Sequence, residues 1–149
     1  HGVETFREVL QNSCNPGFMT IGLRLGKERL FKYINSFGFG EKTGIDLLGE
    51  SKGIVFDVNK IGNVELATSS FGQGNSVTAI QLINAASAAV NGGNLNQPTI
   101  LYGIGNSMTN DVIYQNFPIF KRKVISEETS KKVANSLEYV ASLGFGRIM

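Results

Sequence analysis

Tryptophan is absent from this chain, and cysteine and histidine occur once each, as Cys14 and His1. A lone cysteine cannot form an internal disulfide, so the sequence sets no redox compartment. One Cys and one terminal His cannot assemble a zinc site of ordinary composition, and no metal or organic cofactor is expected. The same scarcity excludes a Ser-His-Asp or Cys-His mechanism built from interior residues. Long apolar runs are missing too. Nothing approaches the roughly 20 apolar residues that cross a bilayer, so no membrane segment is expected in this chain. The N-terminus also lacks the basic-then-apolar pattern of a secretion signal. Neither sign of charge dominates, since 14 Lys and Arg face 12 Asp and Glu for a net charge of +2. The densest basic stretch, Lys121-Arg122-Lys123, is short, so nucleic acid is not an expected partner.

What is present reads as one globular unit. With 42% hydrophobic and 17% charged residues over 149 positions, the chain can bury about 70% of its unfolded surface. Apolar spacing predicts a helix over Val3 to Leu10, with Glu4 and Glu8 on its solvated face. Asn15 followed by Pro16 predicts the start of a second, with Asn15 as N-cap and Gly26 as its end. A third is expected from about Lys27 to Phe37, stopped by Gly38. Glycines then punctuate Phe39 to Asn63, which reads as loop with brief strands. Ser76 is the expected cap of a small-residue helix from Val77 to Val90, closed by Asn91-Gly92-Gly93. Pro98 to Ile125 predicts two or three strands around a turn at Thr109-Asn110-Asp111. Ser126 should cap a last helix that carries Glu127 and Glu128 in its first turn.

Three short patterns carry chemical suggestions. Ser13-Cys14-Asn15 matches Ser-x-Asn, one of the three motifs by which serine acyl-transferases that act on penicillin and D-Ala-D-Ala peptides build a site. A Ser hydroxyl can relay a proton to a leaving amine, and an Asn amide can both donate to and accept from a peptide-like substrate. Helix capping explains the same two residues equally well on spacing alone. Lys42-Thr43-Gly44 spells the third motif of those enzymes. It stands in a glycine-punctuated connection about 30 residues after Ser13 and reads as loop. Gly72-Gln73-Gly74 precedes a helix but lacks the third glycine of a dinucleotide fingerprint and the Gly-Lys-Ser/Thr of a Walker loop, so a tight turn is the better reading. No Ser is followed three positions later by Lys, so the nucleophile motif of the acyl-transferases is absent.

Longer blocks make the pattern specific. Leu10-Gln11-Asn12-Ser13-Cys14-Asn15-Pro16-Gly17-Phe18, Phe37-Gly38-Phe39-Gly40 with Lys42-Thr43-Gly44-Ile45-Asp46-Leu47, Ala67-Thr68-Ser69-Ser70-Phe71-Gly72-Gln73-Gly74 and Ala89-Val90-Asn91-Gly92-Gly93 follow one another over residues 1–98. In this order they resemble the class B penicillin-binding proteins, the D,D-transpeptidases that cross-link peptidoglycan, with the division and sporulation branches looking closest. The resemblance implies that Ser13 serves in proton transfer and Asn15 binds the substrate's peptide amide. It implies that Lys42-Thr43-Gly44 belongs to a separate loop, and that Gln73 and Gly74 lie at the rim of the substrate cleft.

In that family the nucleophilic Ser and its Lys precede Ser-x-Asn, and the Lys-Thr-Gly strand follows the last helix. The chain is therefore expected to be a middle slice, a single partial transpeptidase domain over residues 1–149. The expected fold is α+β and α-rich, of the penicillin-binding (β-lactamase-like) type, lacking most of the central antiparallel sheet. The implied partners of the parent protein are peptidoglycan stem peptides and β-lactams, on the outer face of the bacterial cytoplasmic membrane. The chain alone is expected to be inactive, and self-association through uncovered apolar surface is expected. The alternatives are a non-catalytic cell-wall scaffold and a penicillin-sensing or β-lactamase-type relative.

Overall fold

The computed structural model describes residues 2–143. Three helices open it: α1 (Phe6–Gln11), α2 (Asn15–Leu25) and α3 (Lys27–Ser36). The first begins later than its apolar spacing suggests. Thr5 is its N-cap, accepting from Glu8 N, while the Glu8 carboxylate accepts from Thr5 N at 2.7 Å. This reciprocal box satisfies two amide donors that a helix start otherwise leaves open. Gly26, at φ 82°, ends α2 and opens α3 in one residue. Arg122 closes the far end of α3, donating to Ser36 O at 2.8 Å and Asn35 O at 3.1 Å while it pairs with Glu41.

After a long connection come α4 (Asn63–Ser69) and α5 (Ala79–Val90). The connection forms no strand, only one antiparallel bridge between Ile54 and Ser76. That bridge takes Ser76 away from the role of helix cap. Thr78 is the N-cap of α5, accepting from Gln81 N, with the Gln81 side chain accepting in return from Thr78 N. The α2–α4 contact is close because Gly22 has no side chain: a Cβ there would lie 1.7 Å from Ser70 Oγ. Such an approach is a use of glycine unrelated to its backbone freedom.

Strand β1 (Asn94–Gln97) precedes Pro98, outside the region where strands are expected, and pairs antiparallel with β4 (Ile119–Lys123). Between them β2 (Gly103–Gly105) and β3 (Val112–Gln115) form a separate hairpin. Helix α6 (Glu127–Leu143) then packs on α5 and α1. Ser126 accepts from Thr129 N at its start, as capping requires. Ser130, buried, donates to Ala89 O and accepts from Gly92 N, which fixes α6 to the end of α5. Among the described residues the fold is helix-rich with two short two-stranded sheets, as expected of an α-rich α+β chain.

The core is narrow, with Phe31, Leu66, Ala85, Ala88 and Leu95 at its centre. Large apolar side chains remain exposed along α5 (Leu82, Ile83) and on the hairpin (Val112, Ile113). The loops are held by buried or bracketed polar groups instead. Gln81, 1% exposed, donates to Glu41 O at 2.7 Å and Lys52 O at 2.9 Å. Asp46 gathers Ile100 N, Leu101 N and the Thr99 hydroxyl at the base of the hairpin. The Ile100 and Leu101 amides, then Thr99, hold the Asp46 carboxyl below the ordinary carboxylate range.

Two outcomes are expected. Gln81→Met keeps the volume but removes the partner of the Glu41 and Lys52 carbonyls and of the Thr78 amide, so unfolding free energy should fall by about 3 kcal/mol, read as a lower urea midpoint; an unchanged midpoint contradicts the assignment. For Asp46 the folded pKa is depressed, so its bonds hold above the ordinary value and are lost as pH falls through the lower one. The amide NMR shifts of Ile100 and Leu101 should therefore inflect below about pH 3.9, and Asp46→Asn should abolish the inflection.

Candidate active site

The backbone around Ser-x-Asn is a helix end and a helix start fused into one turn. Asn12 is the C-cap of α1, and its N–H donates to Glu8 O at 2.8 Å. Ser13 N donates to Leu10 O at 3.3 Å and Cys14 N to Val9 O at 3.0 Å. These two bonds are the Schellman arrangement, which requires the residue after the C-cap to be left-handed, normally a glycine. Ser13 fills that place at φ 49°. The next residue already begins α2: Cys14 is its N-cap, and Cys14 O accepts from Phe18 N at 3.0 Å.

This corrects the expected cap by one residue. Asn15 is the first residue of α2, Pro16 the second, and the Asn15 amide is not used for capping. Ser13 and Asn15 are exposed on either side of Cys14, which is buried beside Val9. The middle residue of the motif thus anchors the turn and the outer two project. Gly17 permits the tight seat, because a Cβ there would stand 2.7 Å from both Val9 Cγ atoms. A serine hydroxyl and a carboxamide, both free of the helix ends, can exchange a proton and grip an amide.

Glu4 supports the same turn from the segment ahead of α1, and so does not lie on a solvated helix face as its spacing implied. Asn12 Nδ2 donates to Glu4 Oε1 at 2.8 Å. Hydrogen bonds from the Cys14 thiol and then Asn12 hold the Glu4 carboxyl below the ordinary carboxylate range. A cleft of about 670 Å³ opens behind the turn, lined by Val3, Phe6, Val9, Cys14 and Ile21, with Glu4 and Arg24 also in its walls.

The remaining motif residues sit elsewhere. Lys42-Thr43-Gly44 is a loop: the buried Thr43 spends its hydroxyl and N–H on Glu50, and Gly44 N donates to the other Glu50 oxygen at 3.1 Å. Gln73 and Gly74 follow α4. Gln73 is exposed, with its N–H on Thr68 O at 3.0 Å, and Gly74 at φ 85° packs so close to Phe56 that a Cβ there would stand 2.3 Å from the ring. Among the described residues no hydrogen bond joins Gln73 or Gly74 to Ser13 or Asn15. The Gly22–Ser70 contact that links their helices lies about 10 Å along α2 from Asn15. Among the described residues no group of three metal-ligating side chains occurs, and no helix is long and apolar enough to cross a membrane.

Comparison with known proteins shows the family. The penicillin binding protein transpeptidase domain family matches residues 1–148, and the chain belongs to that family. It is 56% identical over 147 residues to Stage V sporulation protein D of Bacillus subtilis, covering 99% of this chain and 23% of that protein. It is 30% identical over 144 residues to the peptidoglycan D,D-transpeptidase FtsI of Escherichia coli K12, covering 97% of this chain and 22% of that protein. The chain thus spans less than a quarter of the length of these relatives. Penicillin binding protein 3 of Mycobacterium tuberculosis, solved with aztreonam, superposes with a TM-score of 0.81 at 27% identity, over 96% of this chain and 32% of its own.

Strain at Ser13 is directly measurable. Ser13→Gly should raise stability by about 1 kcal/mol, since glycine meets no steric penalty in the left-handed region, and thermal melting should show a higher midpoint. A lowered midpoint would mean that the hydroxyl itself holds the turn.

Proposed function

We propose that this chain supplies the second catalytic motif, and the helical half around it, to a peptidoglycan D,D-transpeptidase. In this reading a serine from a segment outside the chain attacks the carbonyl of a D-Ala-D-Ala stem peptide. The C–N bond breaks, D-alanine leaves with a proton delivered through Ser13, and an acyl-serine remains. The amine of a neighbouring stem peptide then attacks that ester, the cross-link forms, and the serine regains its proton. Asn15 holds the peptide amide of the acyl donor throughout. Gln73 and Gly74 border the cleft without touching the reacting atoms. β-Lactams enter as mimics of the same donor, and no metal or cofactor takes part.

The observation that carries this is the projection of Ser13 and Asn15 from a turn whose middle residue is buried, in a chain matched by the transpeptidase family along almost its whole length. Residues 1–149 then form one partial domain of a protein working on the outer face of the bacterial cytoplasmic membrane. Exposed apolar side chains on α5 and the hairpin support self-association of the chain when it is alone.

A chimera tests the proposal, with this chain replacing the matching segment of the Bacillus subtilis sporulation protein. Ser13→Ala and Asn15→Ala should each slow acylation by a fluorescent penicillin about 100-fold, the usual scale for lost proton transfer or positioning. The 149-residue chain alone should show no penicillin adduct by mass spectrometry. A stoichiometric adduct on the chain, or unchanged acylation in both variants, would refute the proposal.

A further inference from the structure

Glu4 stands outside the motif yet reaches Asn12, the residue before Ser13. Its Oε1 accepts from Asn12 Nδ2 at 2.8 Å, and its carboxyl is held below the ordinary carboxylate range. The backbone beside Glu4 is fixed, because Thr5 is locked into the capping box with Glu8. Ser13 meanwhile holds a left-handed conformation that a non-glycine residue leaves unless its surroundings over-determine it. The two Schellman bonds constrain the peptide groups of Ser13 and Cys14. They do not engage the Asn12 side chain, which the Glu4 carboxylate holds instead.

We infer that Glu4 is a positioning residue for Ser13 and Asn15, a carboxylate clamp that sets the direction in which the Ser-x-Asn turn presents its hydroxyl and amide. This rests on the assignment of Ser13 and Asn15 to the transpeptidase reaction. Glu4 touches no reacting atom in it. Its effect falls on the rate of the bound complex, because a small misdirection of an acid–base group slows chemistry far more than it weakens binding.

The experiment uses the same chimera and separates the limiting acylation rate from the penicillin concentration giving half that rate. Glu4→Leu should lower the limiting rate about tenfold and change the half-saturating concentration less than twofold. Glu4→Gln, which keeps an acceptor for Asn12, should recover most of the rate. Asn12→Leu should match Glu4→Leu, and the double variant should be no slower than either single one. Rates are taken per folded molecule, with melting curves recorded for each protein. Full acylation rate in Glu4→Leu beside a slow Ser13→Ala overturns the clamp and spares the motif assignment. A lower melting point with an unchanged rate per folded molecule overturns it as well. A fast Ser13→Ala overturns the assignment and the clamp together.

Discussion

One left-handed residue, Ser13, lets α1 end and α2 begin without a loop between them. Because Cys14 is both the last partner of the first helix and the cap of the second, the two helices share one rigid corner. The corner turns one side chain inward and its two neighbours outward. That is a demanding use of three residues, and it explains why a polar motif can be held as firmly as a core. Gly17 against Val9 and Gly22 against Ser70 seat α2 on both sides, so the orientation of the corner is transmitted to α1 and α4.

Beyond the corner, the fold is held by polar groups acting over long sequence separations more than by a broad core. Gln81 joins the start of α5 to the loop carrying Glu41 and Lys52, Arg122 joins β4 to the end of α3, and Ser130 joins α6 to α5. Each satisfies backbone groups from a distant part of the chain, and each is costly to remove. The apolar faces of α5 and the hairpin lack such coverage. This division between well-tied loops and open faces fits a family domain represented here over less than a third of the solved relative's chain.

Much of this was legible in the residues. The helix ends at Gly26 and Gly38, the closure of α5 by Asn91-Gly92-Gly93, and the loop character of Lys42-Thr43-Gly44 all follow from local chemistry that the structure repeats. The errors came where two local signals competed. Asn15-Pro16 has the form of a helix cap, but the Schellman turn of the preceding helix shifts the cap to Cys14. Ser76 looked like a cap until its backbone paired with Ile54, leaving Thr78 and Gln81 to do that work. The pairing of Glu4 with Asn12 has no signature in spacing, since it depends on how the segment ahead of α1 folds back beneath the turn. Long-range ties of this kind are products of tertiary packing.

The central claim is that Ser13 and Asn15 face a bound acyl donor. A crystal structure of the chimeric transpeptidase acylated by a β-lactam tests it most directly. The account predicts Asn15 within hydrogen-bond distance, about 2.7–3.2 Å, of the ligand's side-chain amide, and Ser13 Oγ equally close to the nitrogen released from the ring. A ligand seated with both residues pointing away, and the turn at Ser13 unaltered, would contradict it.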